Sequence, residues 1–323
     1  MMGTIRVAFL GAGDVSTLHA EGIRQCQEAK LVGLWTRTQT RAVERAAQFG
    51  CKTYSSAEAL VNDPEVDVVS VLTNLETHLQ YVLMAIRAGK HVLVEKPAGN
   101  SVDEIQEMKG AAEKAGVLCV PVHNYIHEPS IHRARDLLEQ GKLGDLVSLY
   151  ILYNIHHPEK VTARYPGVIR QILTHHAYVT LYLAGEPMSL SALKSTLNDG
   201  TVPQENLAMV NMKMKSGALA HLCASFAADD HSGDPWTFLI KVIGSKGATR
   251  FSYRDWVENK PAVVHSQTYS AYPYSIRNTV THFIDRCIRH GDAPLSSIGD
   301  AITCQRIIEA CELSVTEERH IHL

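Results

Sequence analysis

A turn of two glycines, Gly11-Ala12-Gly13, stands between a short apolar run over residues 5–10 and a helical stretch that opens near Val15. No other feature constrains the fold as much. The first glycine allows a sharp turn out of a strand and the second lets the backbone approach a pyrophosphate, while the start of the helix at Asp14 and Val15 supplies amide donors. Ser16 stands where a third glycine would complete the pattern. The run before the turn is apolar on both faces, which suits a strand covered by helices on each side of a parallel sheet.

The same rhythm continues along the first third of the chain. Strands are expected over residues 30–35, 52–54, 66–72, 91–94 and 119–122, and helices over 41–49, 56–61 and 78–88, the last stopped by Gly89. Such alternation predicts a parallel sheet with helices on both faces. Past about residue 145 the chain becomes strand-rich, with runs at 146–155, 190–197, 206–214, 218–226, 237–243 and 249–252. Turns at 215–217 and 244–247 join neighbouring runs as hairpin connections would. Helices are expected over 129–140, 171–184, 275–289 and 300–316. The reading is an α/β fold of two domains. Residues 1–122 bind a dinucleotide, and residues 123–323 bind substrate and support oligomerisation on a largely antiparallel sheet, with a C-terminal helix that can pack back on the first domain.

Composition limits the partners. A chain of 323 residues suits two domains with cores of their own, and a formal net charge of −3 leaves no basic field for nucleic acid or an anionic membrane. The seven cysteines are dispersed, with no CxxC pair, as in a reducing cytoplasm. No apolar run is long enough to span a bilayer, and the N-terminus carries no leader pattern. A small-molecule substrate is expected, and a homodimer or homotetramer, because the antiparallel sheet would leave one face uncovered.

Two further segments speak to chemistry. The second strand ends at Trp35-Thr36-Arg37-Thr38, with Arg41 following, and offers no carboxylate to repel a 2′-phosphate. Arg37 can pair with that phosphate and stack on adenine, which favours NADP(H), with NAD(H) as the alternative. Glu95-Lys96-Pro97 ends a buried strand, so the Lys96 ammonium lies at the carboxyl end of a parallel sheet, where such sheets bind ligands. A lysine there can hydrogen-bond a reacting oxygen and share in proton transfer.

Gly11-Ala12-Gly13 with His19, Thr73 with His78, Ala88-Gly89-Lys90-His91-Val92 leading into Glu95-Lys96-Pro97, Gly141-Lys142-Leu143-Gly144, Leu183-Ala184-Gly185 and Gly244-Ser245-Lys246-Gly247 run almost end to end. In these stretches the chain resembles the glucose-fructose oxidoreductase, inositol dehydrogenase and rhizopine-catabolism family, written Gfo/Idh/MocA. The resemblance implies an N-terminal Rossmann domain, a C-terminal α/β domain with an open-faced sheet used in oligomerisation, and NAD(P)-linked oxidation or reduction of sugars and polyols. It also implies that Thr73, Asn74, His78 and Glu95 join Lys96 around the dinucleotide. Family members often carry an aspartate and, four residues later, a histidine before Leu-x-Gly; counting back from Leu183-Ala184-Gly185 gives Gln171 and His175. His175 matches the acid/base and Gln171 departs from the aspartate, which reduces the catalytic set to Lys96 and His175. On a helix His175 shares a face with Tyr178, and His176 points elsewhere.

Asn124, Tyr125, Tyr153, Arg164, Tyr165, Arg170, Gln171 and His176 are the candidate substrate residues. His123-Asn124-Tyr125-Ile126 stands where the family often has an arginine, so a neutral polyol suits the site better than a carboxylate or phosphate. His123 and His127 are four apart, but no carboxylate or cysteine joins them in a recognisable pattern, and no metal is expected. The function expected is hydride transfer between nicotinamide and a sugar, cyclitol or polyol. Two alternatives stay open: redox-neutral sugar processing with a tightly held cofactor, and a catalytically decayed dinucleotide-binding regulator.

Overall fold

The structure, a computed structural model, describes residues 3–197, 202–228, 236–252, 254–259, 262–267 and 271–323. The chain divides into two compact units, Met1–His127 with Pro273–Ile302, and Glu128–Tyr272 with Thr303–Leu323. The units interleave along the chain, where the reading from sequence has one boundary at residue 122.

The first unit alternates β1 (Ile5–Leu10), α1 (Ser16–Gln25), β2 (Ala29–Trp35), α2 (Gln39–Phe49), β3 (Lys52–Thr53), α3 (Ala57–Val61), β4 (Val68–Val71), α4 (His78–Arg87), β5 (His91–Val94), α5 (Val102–Ala115) and β6 (Cys119–Pro121). The strands form one parallel sheet in the order β3-β2-β1-β4-β5-β6. Strand order reverses between β1 and β4, and the carboxyl ends of those strands open the crevice where such sheets take ligands. Helix α5 is absent from the elements read in the sequence. Its buried positions are only Ile105, Met108 and Ala112, and its start is set by polar groups: Ser101 accepts a hydrogen bond from the Glu104 amide at 3.2 Å, and the Glu104 carboxylate accepts from the Asn100 amide at 2.7 Å.

The later segment of this unit is fastened by small and polar contacts. Helix α1 has Gly22 where any Cβ would stand 2.8 Å from the Val280 side chain, so only glycine admits the close approach. Ile298, Ala301 and Ile302 join the core built on Leu10, Val69, Val71, Val92 and Val94.

The second unit holds α6 (Pro129–Glu139), β7 (Leu146–Asn154), α7 (Glu159–Thr162), α8 (Thr174–Ala184), β8 (Pro187–Ser195), β9 (Leu207–Met214), β10 (Leu219–Ser225), β11 (Thr237–Gly244) and β12 (Ala248–Ser252). A hairpin, β13 (Arg254–Asn259) and β14 (Ala262–Gln267), follows; α9 (Ala271–Thr281) belongs from Pro273 on to the first unit, α10 (Ile298–Glu317) passes from the first unit's residues into the second's after Ile302, and β15 (Ile321–His322) ends the chain in the second. The large sheet runs β12-β11-β7-β10-β9-β8-β15, antiparallel except where β10 lies parallel to β7. Both expected hairpins form. One sheet face is apolar and covered, with Leu149, Leu190, Val210 and Leu222 buried; the other leaves Tyr150, Leu193, Met209 and Leu219 exposed. Leu193 is 76% exposed.

Candidate active site

The turn after β1 is built for close approach. Gly11 has φ +99°, and a Cβ on it would stand 2.5 Å from the Leu72 carbonyl oxygen, whereas a Cβ on Gly13 would meet nothing within 4 Å. Open space over Gly13 is what an approaching phosphate needs. Ser16 replaces the third glycine without loss of fit, because its buried hydroxyl donates back to the Gly13 carbonyl at 2.6 Å.

Around this turn a groove is lined by Gly11, Gly13, Thr36, Arg37, Arg41, Thr73, Asn74 and, unforeseen from sequence, Trp35, Thr77 and Tyr81. Trp35 and Tyr81 meet edge to face at 5.6 Å, a contact between β2 and α4 that no local pattern announces. The Thr77 hydroxyl reaches Thr73 Oγ1 at 2.8 Å and steadies the end of β4. Arg37, just after β2, and Arg41, in the first turn of α2, are exposed, and among the described residues no carboxylate lines the groove beside them. Asp14 lies outside the groove lining and pairs instead with Arg45 at 3.3 Å, and Val15 caps α1. These residues fit a dinucleotide: a turn with room for phosphate, a helix start behind it, and cations at the ribose end.

Lys96 follows β5, partly buried, with a cis bond to Pro97. Burial pushes its pKa down to about 8, against the opposing pull of the Glu95 carboxylate. Burial alone would raise the Glu95 pKa, but the hydrogen bond from His19 and the charges of His19 and Lys96 hold it below its ordinary value. His19 Nε2 meets Glu95 Oε1 at 3.0 Å, and Glu95 Oε2 accepts from the Lys96 amide at 3.1 Å. His78 is buried between two carbonyls, with Nδ1 2.9 Å from Pro97 O and Nε2 3.0 Å from Thr73 O. It therefore joins the Lys96-Pro97 loop to the end of β4. Burial lowers its pKa, while those carbonyls oppose the shift.

The residues after β6 turn inward. His123 Nδ1 meets Ser296 Oγ at 2.6 Å, the Asn124 amide donates to Ser275 Oγ at 2.7 Å, and Tyr125 is fully buried. His127 lies against the His282 ring at 5.2 Å. Among the described residues no cluster of three or more histidine, cysteine, aspartate or glutamate side chains could hold a metal ion.

In the second unit, a π-helical turn over Ile169–Leu173 carries Gln171 and leads into α8, which carries His175. His175 is buried, and its Nδ1 lies 2.6 Å from the Tyr178 hydroxyl. His176 is fully buried against the rings of Tyr153, at 6.4 Å, and Phe238, at 6.3 Å and nearly parallel. Neither of its ring nitrogens has a hydrogen-bond partner among the described residues, and burial pushes its pKa down to about 3. Burial likewise raises the Tyr153 pKa. Arg164 is exposed, and Tyr165 packs between His157, at 6.1 Å, and Phe226, at 5.9 Å. Arg170 makes a two-point ion pair with Glu312, at 2.6 and 2.8 Å, and so ties the π-helical turn to α10.

Residues 5–123 match the model of an oxidoreductase family with an NAD-binding Rossmann fold, GFO_IDH_MocA, and residues 131–250 match the GFO/IDH/MocA C-terminal domain. The chain is 26% identical to 4-carboxy-2-hydroxymuconate-6-semialdehyde dehydrogenase of a Sphingobium species, over 97% of this chain and 100% of that protein. It is 25% identical to D-apiose dehydrogenase of Paraburkholderia graminis, over 98% and 89%. The fold superposes on myo-inositol 2-dehydrogenase of Lactobacillus plantarum with a TM-score of 0.86 at 19% identity, covering 99% of each chain. Among the described residues no helix is long and apolar enough to cross a membrane.

Proposed function

The chain belongs to the Gfo/Idh/MocA family of NAD-binding oxidoreductases, and from that premise we propose that it exchanges a hydride between NADP(H) and a neutral sugar, cyclitol or related polyol. The observation that carries the cofactor assignment is the passage from β2 into α2, where Thr36, Arg37 and Arg41 line the groove and no carboxylate among the described residues lines it with them. A guanidinium pair there attracts a 2′-phosphate that a ribose-binding carboxylate would repel. Bound in the groove, the dinucleotide supplies the hydride acceptor or donor, so that oxidising an alcohol leaves a carbonyl and one proton to be taken up. Lys96 holds the reacting oxygen by hydrogen bonding, and His175 exchanges its proton. The names of the relatives, a D-apiose and an inositol dehydrogenase among them, support a polyhydroxylated substrate. No arginine follows β6, so nothing at 123–126 favours an anionic one. The exposed face of the large sheet, with Leu193 and Leu219 on it, favours burial against a second copy, which light scattering of the purified protein would reveal.

Fluorescence titration with NADPH and with NADH tests the cofactor. Removing the cation in Arg37→Ala should weaken NADPH binding by about tenfold or more, the worth of one charged hydrogen bond, and leave NADH binding nearly unchanged. Equal losses for both dinucleotides would refute the NADP(H) assignment. A protein that shows no binding and yet releases a dinucleotide on denaturation, by mass spectrometry, would instead be one that retains its cofactor between turnovers.

A further inference from the structure

The helix that carries His175 also carries its partner. The imidazole and the Tyr178 phenol are both buried, on one face of α8, with Nδ1 and the hydroxyl oxygen 2.6 Å apart and the ring centroids 5.5 Å apart. Gln171 is four residues before His175, a spacing that would put it on the same face of a regular α-helix. A π-helical turn over Ile169–Leu173 precedes that histidine, and Gln171 lies within it. His175 and Tyr178 lie together in the regular α-helical part.

We propose that Tyr178 is the positioning residue of His175, a neutral phenol that takes the orienting place a carboxylate at position 171 would have held. The inference rests on the oxidoreductase reading above, because it concerns how the proton is exchanged. A buried Nδ1–H donating to the phenol oxygen fixes one tautomer and leaves the lone pair on Nε2. The proton released from a substrate hydroxyl then passes to Nε2, and Nδ1–H keeps the same acceptor before and after the transfer. In the reverse direction Nε2–H returns that proton to the oxygen. The phenol stays protonated throughout and carries no charge, so it orients the ring without the electrostatic hold that a carboxylate gives an imidazolium.

The test is a two-bond ¹H–¹⁵N correlation spectrum of the histidine rings in the full-length protein without substrate, with His175→Gln identifying the signals of interest. The wild type should show His175 as a single Nδ1–H tautomer, and Tyr178→Phe should convert it to a mixture or to the Nε2–H form. The same variant should lower kcat by about tenfold or more while KM stays within about twofold. An unchanged His175 tautomer in Tyr178→Phe overturns the proposal. If that variant fails to fold, a ring-fluorinated tyrosine at position 178 keeps the shape and makes the phenol more acidic; a His175 Nδ1 resonance that does not move then overturns it equally. The spectra need no turnover, so they stand apart from the oxidoreductase reading, which falls instead if Lys96→Ala retains full activity on a substrate the wild type oxidises.

Discussion

The polar interiors of the two units are built differently. Around Lys96 the buried polar groups are held by backbone, charge or a neighbouring side chain: His78 between two carbonyls, Glu95 between His19 and the Lys96 amide, and Asn124 on Ser275. In α8 the arrangement is uneven. His175 has the Tyr178 hydroxyl, whereas the adjacent His176 and the hydroxyl of Thr180, one turn further on, are fully buried with no hydrogen-bond partner among the described residues. A buried polar group without a partner costs about 1–3 kcal/mol, so the helix that carries the proposed acid/base carries a stability penalty; in the first unit Nδ1 of the buried His19 also has no hydrogen-bond partner among the described residues, but its ring is held through Nε2 on Glu95. The His19 ring in the first unit is therefore anchored at one nitrogen, whereas the His176 ring in the second is anchored at neither among the described residues.

The largest expected effect breaks the comparison at Lys96. Lys96→Ala should reduce kcat by about a hundredfold or more, the usual contribution of a positioned proton donor, with little change in dinucleotide affinity. In the wild type, carbonyl reduction should decline as pH rises through about 8, because that is where the buried ammonium loses its proton. A pH profile of reduction that stays flat to pH 10 would take the donor role away from Lys96.

Gly11→Ala is next. The added methyl would meet the Leu72 carbonyl at 2.5 Å in a backbone with φ +99°, and unfolding in urea should show a loss of more than about 2 kcal/mol together with loss of dinucleotide binding. Retention of both would mean that the turn adapts more than its geometry allows.

The opposite sign is expected in α8. His176→Leu removes the unpartnered imidazole and should raise stability by about 1–3 kcal/mol. The sign with pH follows from linkage. The folded ring has its pKa pushed down to about 3, so between that value and the unfolded value of about 6.5 the unfolded chain binds the extra proton. Wild-type stability therefore falls as pH is lowered through that window, and the advantage of His176→Leu should be larger at pH 5 than at pH 7.5. Thermal melts at the two values decide it; an advantage that shrinks on acidification would show that His176 has a partner in solution. The smallest effect belongs to Arg170→Ala, which opens the half-exposed pair with Glu312 and should cost no more than about 1 kcal/mol, a loss that added salt reduces in the wild type.

Much of this architecture is legible without coordinates. Five short apolar strands alternating with helices bury both faces best in a parallel sheet, and the glycines after β1 mark its ligand end, so the first domain and the groove over Gly11, Thr36 and Arg37 follow from local pattern, while Thr73 came from the family resemblance. The alternating strands of the second half announce an antiparallel sheet with one open face for the same reason. Helix α5 escaped because charge dominates its sequence and only three of its positions are buried. Tertiary structure alone decided what depends on contacts between distant residues: that Pro273–Ile302 returns to the first unit, that β10 lies parallel beside β7, and that Trp35 meets Tyr81 in the groove. It also decided the contact that His175 makes on its own helix. Spacing put Tyr178 on the face of His175, and only the structure shows their 2.6 Å hydrogen bond and the π-helical turn before α8, which a 3.6-residue periodicity does not announce.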